Sequence, residues 1–192
     1  MTKFTLTVRY DYDYRHDCDD LVGVMGPRLN GYDRCDTEAT INDLLGCDWQ
    51  DLTRDEFIKK MESCKEVAAF APVYMYSHSG DTISTSPFSC PWDSGQAGWA
   101  VITRSSLKAM GLKNVGQVRG QRHIKGHIQY LDQIMQGNVF GFEVKDENGD
   151  HVDSCWGFVG DDIESNGMLC YLDEELHDQA REIFSNYDFA AA

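Results

Sequence analysis

Residues 139–159, VFGFEVKDENGDHVDSCWGFV, decide the fold class. Asn148-Gly149 sits between two apolar-rich runs, and both residues tolerate the positive φ of a type I′ turn, so the stretch reads as a β-hairpin. A two-residue loop there sets Phe142 opposite Cys155 and Gly141 opposite Trp156, leaving room for the indole over the glycine. Paired strands are expected over 139–144 and 152–159. Upstream, Ile124, Ile128, Leu131 and Met135 recur at steps of four, three and four, which puts them on one face of a helix over 121–136 that stops at Gly137. Downstream, Leu172, Leu176, Ala180, Ile183 and Tyr187 mark a C-terminal amphipathic helix, with Asp173, Glu174 and Glu175 at its positive N-terminus.

Nearer the N-terminus, Phe4, Leu6, Val8, Tyr10, Tyr12 and Tyr14 share one parity while Thr5, Thr7, Arg9, Asp11, Asp13 and Arg15 share the other. A period of two predicts a long half-buried strand. A short helix follows over 40–45, stopped at Gly46. Thr53-Arg54-Asp55-Glu56 is a capping box that starts a helix over 54–64, with Leu52 and Phe57 as its hydrophobic staple. Residues 67–77 form an apolar strand in which Pro72 demands an edge or a bend. Another strand covers 98–103, and Ser105 or Ser106 caps a helical turn ending near Gly111. Strands and helices alternate without a βαβ repeat, so the class is α+β: an antiparallel sheet, a hairpin in the C-terminal half and three or more packing helices. The 192 residues are expected to form a single domain, with an acidic N-terminal subregion at 1–65.

Charge is the most informative feature. Seventeen Lys and Arg against 32 Asp and Glu give a net −15. Residues 11–56 carry 13 acids and 4 bases, and residues 143–188 carry 14 acids and 2 bases, while 57–142 hold 5 acids and 9 bases. Two acidic lobes therefore flank a basic middle. Such a balance repels phosphate backbones and attracts basic surfaces, which argues against direct nucleic-acid binding and for a basic protein partner. Asp11 and Asp13 fall on one strand face about 7 Å apart. Asp17, Asp19 and Asp20 continue the line, and Asp161, Asp162, Glu164, Asp173, Glu174 and Glu175 form a second cluster. Rows of this kind can imitate a nucleic-acid backbone, or simply solvate the surface.

No apolar run approaches the length of a membrane span: the longest, 67–76, contains Pro72. No secretory signal is evident, and seven cysteines without a CxxC pair suit reduced thiols, so an intracellular location is expected. His123 and His127 share a helix face, but companion ligands are missing, so no metal and no cofactor is assigned. Gly111, Gly116 and Gly120 with Lys113, Arg119, Arg122 and Lys125 offer amides and charge to a phosphate, yet neither the Walker pattern nor GxGxxG is present.

Two segments combine a thiol, a carboxylate, a hydroxyl, an indole and a glycine: CPWDSGQ at 90–96 and DSCWGF at 153–158. One pocket built from both would use Trp92 and Trp156 as walls beside Ser94 and Gln96. Cys90 or Cys155 would then serve as nucleophile, Asp93 or Asp153 as orienting carboxylate, and His78, His123 or His127 as base. The same residues also read as core anchors and turn caps.

CPWDSGQ, then YLDQIMQGNVFGFEV, then DSCWGFVGDD resemble a protein family encoded by bacteriophages and other mobile elements, over residues 90–162. The resemblance implies an accessory protein acting in a bacterial cytoplasm, and it carries over no catalytic residue. Together with the charge, it leads to a non-catalytic protein that blocks a nucleic-acid-handling host protein of restriction or CRISPR type. The alternatives are a small cysteine-dependent hydrolase or transferase, and a ligand-binding adaptor without chemistry.

Overall fold

The computed structural model describes residues 4–14, 22–29, 31, 36–113, 115–187 and 189. In chain order the strands and α-helices are β1 (Thr5–Tyr10), β2 (Val22–Met25), α1 (Thr37–Leu45), α2 (Arg54–Ser63), β3 (Val67–Ser77), β4 (Asp81–Ser84), β5 (Ser94–Thr103), α3 (Arg104–Ala109), α4 (Gln117–Met135), β6 (Val139–Lys145), β7 (His151–Val159) and α5 (His177–Asn186). The protein is α+β, and every strand pairing is antiparallel. Two compact units divide the chain: a terminal unit of Met1–Arg15 with Gln133–Ala192, and a middle unit of His16–Asp132.

The terminal unit is built on a sheet of order β1-β6-β7. Its hairpin has the expected central register, Phe142 with Cys155 and Gly141 with Trp156, reached by a different route. The Gly149 amide bonds the Asp146 carbonyl and the Asp146 amide bonds the Asp150 carbonyl, so the loop has three residues, with Gly149 at φ 83°. That geometry is a type I turn closed by a left-handed residue rather than a type I′ turn. Alone it would pair Val144 with Val152. Val152 is instead skipped, Lys145 facing His151 and Val144 facing Asp153, and this bulge restores the register. A second shift follows at Gly157, φ 88°, and brings Phe158 onto the core face, where its ring stacks 5.9 Å from Phe142.

Alternation then separates two faces. Leu6, Val8, Phe140, Phe142, Val144 and Phe158 form a core with Leu172, Leu176, Ala180 and Phe184. β1 is shorter than its parity predicts, because β6 supplies partners only as far as Phe140. The Asp11 amide still bonds the Val139 carbonyl, and the chain turns at Tyr12-Asp13. Arg15 lies outside the described residues. Near the C-terminus, Asp173 precedes a 3-10 turn over Glu174–Leu176, and α5 begins only at His177. The expected stripe holds through Leu172, Leu176, Ala180 and Ile183, is joined by Phe184, and ends with the helix at Asn186. Ala180 and Phe184 fill the core, whereas Tyr187 is 72% exposed with φ 52°, a correction to its placement on the stripe.

The middle unit has a sheet of order β2-β5-β3-β4. The Thr53 hydroxyl and Glu56 close the capping box of α2, and Phe57 and Met61 pack with Ile41 of α1, Met25, Trp99 and Val101 on one sheet face. Pro72 is accommodated because β4 covers β3 only from Tyr74 to Ser77, so at Pro72 the strand has a neighbour on one side only. The cap of α3 is Thr103, whose hydroxyl accepts from the Ser106 amide, in place of Ser105 or Ser106. On the opposite sheet face lies α4, which buries Gly120, Ile124, Ile128 and Leu131. The Gln121 amide donates to the Phe70 carbonyl, and Asp132 accepts from the Thr82 hydroxyl and the Ile83 amide, so α4 is fastened to the sheet at both ends of this span. No helix among the described residues is long and apolar enough to cross a membrane.

Two glycines of α4 separate propensity from packing. A Cβ at Gly120 would lie 2.6 Å from the Ala69 Cβ and 3.1 Å from Ile102 Cγ2, while one at Gly126 meets nothing within 4 Å. Alanine gains about 1 kcal/mol of helix propensity at either site. Overpacking costs roughly 1–3 kcal/mol at the first. Urea denaturation should therefore show Gly126→Ala stabilised by about 0.5–1 kcal/mol and Gly120→Ala destabilised; equal shifts of the two midpoints would refute the packing of α4 on Ala69.

Candidate functional site

Residues 1–15 and 133–192 together hold 16 acids and 5 bases, net −11, against 16 acids and 12 bases, net −4, for 16–132. The charge is thus concentrated in the terminal unit. Asp13, Asp161, Asp162, Glu164, Asp173, Glu174 and Glu175 are exposed and Asp11 is half-buried. Asp17, Asp19 and Asp20 lie outside the described residues. Asp11 and Asp13 do not share a strand face as expected, since Asp13 is in the turn after β1.

Some of these acids are committed within the fold. Asp162 accepts from the Glu164 amide at 3.1 Å and the Ser165 hydroxyl at 2.7 Å. Glu164 pairs with Arg181 at 2.6 Å, and the same guanidinium reaches Asp178 at 3.2 Å. Asp162, Glu164 and Arg181 border a shallow depression of about 500 Å³ together with Asp161, Glu182 and Phe184. Among the ion pairs of the described residues, none involves Asp11, Asp13, Asp161, Asp173, Glu174 or Glu175. In the hairpin turn, amide donation from Asp150, followed by that from Asn148, holds the Asp146 carboxyl below its ordinary value. That acid belongs to the turn.

The two Trp-bearing segments fall in different units. In the terminal unit the pleat of β7 splits DSCWGF: Cys155 packs against the core, while Trp156 stands on the other face. Asp153 accepts from the Ser154 amide at 2.8 Å, and the Ser154 hydroxyl lies 3.1 Å from His151 Nε2. Trp156 rests on Gly141, where a Cβ would come within 2.1 Å of the ring, and the indole residue stays 47% exposed. Arg9 is the next residue in that row, paired with Gly141 on its other side. Beside the row, Arg9, Tyr10, Asp11, Tyr12, Asp13 and Trp156 line a groove of about 390 Å³.

In the middle unit, CPWDSGQ leads into β5. Trp92 is 91% exposed, so it is no core anchor. Ser94 donates to the Cys90 carbonyl, and Gln96 donates to the Gly98 carbonyl. Because Tyr76 pairs with Ser94 and Ser77 with Asp81, the β3-β4 turn hangs beside Asp93, and the Ser77 amide bonds the Asp93 carbonyl. One Asp93 oxygen, Oδ2, consequently lies 3.6 Å from Cys90 Sγ and 3.5 Å from His78 Nδ1. Of the three candidate histidine bases, His78 is the one brought to a candidate thiol and carboxylate. His123 and His127 belong to α4, and among the described residues no group of three or more His, Cys, Asp or Glu could hold a metal ion. Lys113, Arg119, Arg122 and Lys125 surround a loop and helix start in which Gly120 is spent on packing against Ala69.

A second cavity in this unit, about 290 Å³, is lined by Thr37, Thr40, Thr103, Ser105, Ser106 and Glu66 among others. Hydrogen bonds from Ser105 lower the Glu66 carboxyl, one of them the Ser105 amide at 2.8 Å, so this acid serves the start of α3.

No family model, curated protein or solved structure matches the chain.

Proposed function

We propose that this chain is a non-catalytic binding protein whose acidic faces occupy the basic groove of a nucleic-acid-handling protein. The carrying observation is the terminal unit: net −11, with exposed carboxylates at Asp13, Asp161, Asp173, Glu174 and Glu175 that the chain's own bases do not pair among the described residues. An unpaired carboxylate row raises the local concentration of a basic partner and steers its approach. On the resemblance of residues 90–162 to phage and mobile-element proteins, the partner is a host-defence protein of restriction or CRISPR type in a bacterial cytoplasm.

A second reading is favoured by one observation, the meeting of Cys90 and His78 on Asp93. In it, Asp93, with His78 on the same carboxylate oxygen, takes the Cys90 thiol proton, the sulfur attacks a carbonyl carbon, and the proton passes to the leaving group as its bond to that carbon breaks. Cys155 has no part in this version, because it packs against the core of the terminal unit.

For the first reading, immobilised protein is expected to retain a basic protein from bacterial lysate at about 0.1 M salt and release it near 1 M, where the Debye length falls to about 3 Å. A short DNA duplex should compete, and neutralising Asp161, Asp173, Glu174 and Glu175 together should abolish retention. Retention that survives both high salt and the neutralised variant would overturn electrostatic recognition. For the second, iodoacetamide should label Cys90 at pH 7 at least about tenfold faster than Cys47, Cys64, Cys155 and Cys170, with His78→Gln removing the difference; uniform slow labelling sinks it.

A further inference from the structure

The groove beside Trp156 gives the acidic-face reading a chemical specificity, and the ligand assigned to it rests on that reading. Both aromatic walls are held from behind. The Trp156 ring occupies the space that any side chain at position 141 would take, so its orientation is set by the sheet rather than by a partner. Tyr12, 72% exposed, stacks on Tyr10 at 5.8 Å and 26°, and Tyr10 is anchored against Phe140 and Phe189 at 5.1 and 5.4 Å. Rings ordered before binding lose little freedom when a ligand arrives.

Among the described residues that line the groove, Asp11 and Asp13 set two negative charges against the one positive charge of Arg9, whose Nε is buried without a hydrogen-bond partner. Arg9 is engaged by Glu143 at 3.7 Å, and Glu143 is also met by Lys145 at 3.3 Å. Neither Asp11 nor Asp13 has an ion pair among the described residues, and both line the groove. A phosphate or carboxylate ligand would face two carboxylates there. An apolar side chain would cover the half-buried Asp11 without compensating it. A cation satisfies both features: its charge pairs with the carboxylates and its face lies against the ring quadrupoles. Among cationic side chains, the planar guanidinium of arginine stacks on a ring while its edge N–H groups still reach carboxylate oxygens, whereas an ammonium is a compact, strongly hydrated point charge.

We infer that this groove receives one arginine side chain of the basic partner, stacked on Trp156 and paired with Asp11 and Asp13. The site is small enough for one such residue, at about 390 Å³, near the lower end of ligand-binding pockets.

The test uses the full chain and three blocked tripeptides, Gly-Arg-Gly, Gly-Lys-Gly and Gly-citrulline-Gly, followed through the Trp156 indole N–H and the Asp11 and Gly141 amide resonances. The arginine peptide is expected to shift all three signals saturably, the lysine peptide to bind at least about threefold more weakly, and the citrulline peptide not to bind. Asp11→Asn with Asp13→Asn should weaken the arginine peptide about tenfold, and so should Gly141→Ala, which displaces the ring while keeping it. Glu147→Gln, in the hairpin turn and outside the groove lining, should leave peptide binding unchanged. No saturable shift, equal binding of arginine and citrulline peptides, or indifference to Asp11→Asn with Asp13→Asn would overturn the inference. Equal binding of lysine would overturn the choice of arginine. If the peptide fails while salt-sensitive retention of a basic protein persists, the groove is wrong and the acidic-face reading stands. If the peptide binds while retention ignores salt, the converse holds.

Discussion

The missing side chain at Gly141 is the constraint on which the terminal unit's outer face depends. Any Cβ there would collide with the Trp156 ring, so the indole lies against the middle strand of the three, between the hairpin partner and Arg9. The residues either side of Gly141 on β6, Phe140 and Phe142, point the other way and are almost wholly buried. One strand thus holds the core together with its even-numbered residues and positions an exposed ring with an odd-numbered one. A register slip of one residue would exchange the two roles. The bulges at Val152 and Gly157 are what prevent it: the first reconciles a three-residue turn with the Gly141–Trp156 pairing, and the second returns Phe158 to the core.

Not all of the excess acid is free for the proposed recognition. Asp146 and Asp162 spend oxygen lone pairs on amides of their own turns, Asp153 accepts from the next amide along β7, and Glu164 is tied to Arg181. Such carboxylates contribute field but have little freedom to rearrange toward a partner. The charges left for contact are Asp11 and Asp13 beside the groove, Asp161, and the run Asp173, Glu174 and Glu175. The last three precede α5, where the helix dipole already favours negative charge. Their position is therefore good for folding as well as for attracting a basic surface, and neither role requires the other to be absent.

Local chemistry is legible in the sequence wherever neighbours along the chain decide it. Thr53 and Glu56 are three residues apart and close their capping box; Ile124, Ile128 and Leu131 repeat at helical spacing and are buried. The hairpin register is legible in Asn148-Gly149, although the turn type is not, because the compensating bulge at Val152 leaves no local mark. What pairing partners decide is illegible. Tyr12 and Tyr14 continue the parity of β1, but the register with β6 ends at Tyr10 and the chain turns at Tyr12-Asp13. Tyr187 leaves the stripe because α5 ends at Asn186 and Tyr187 is its left-handed C-cap. For the candidate sites, Cys90 and Asp93 stand out by their chemistry, yet the choice of His78 depends on Tyr76 pairing with Ser94, a contact between distant strands. Likewise the pairing of Gly141 with Trp156 can be read from the hairpin, while Arg9 and Asp11 join their row only through β1 docking on β6.

The edge of β7 narrows how a partner engages the terminal unit. Among the described residues no strand lies outside β7, and residues 151–154 are exposed, so the open backbone would in principle template another strand. A guest strand needs an uninterrupted ladder to gain from its main-chain bonds. Here the extra residues at Val152 and Gly157 leave only the segment between them in regular register. Bulges twist and break an edge, and they are a common defence against strand addition. With the backbone route interrupted at both ends of that segment, the proposed recognition falls to side chains. Trp156 stands on the face of this sheet that turns away from the core, and Tyr12, Asp11 and Asp13 line the groove beside it, a set better suited to clasping a cationic side chain than to extending a sheet.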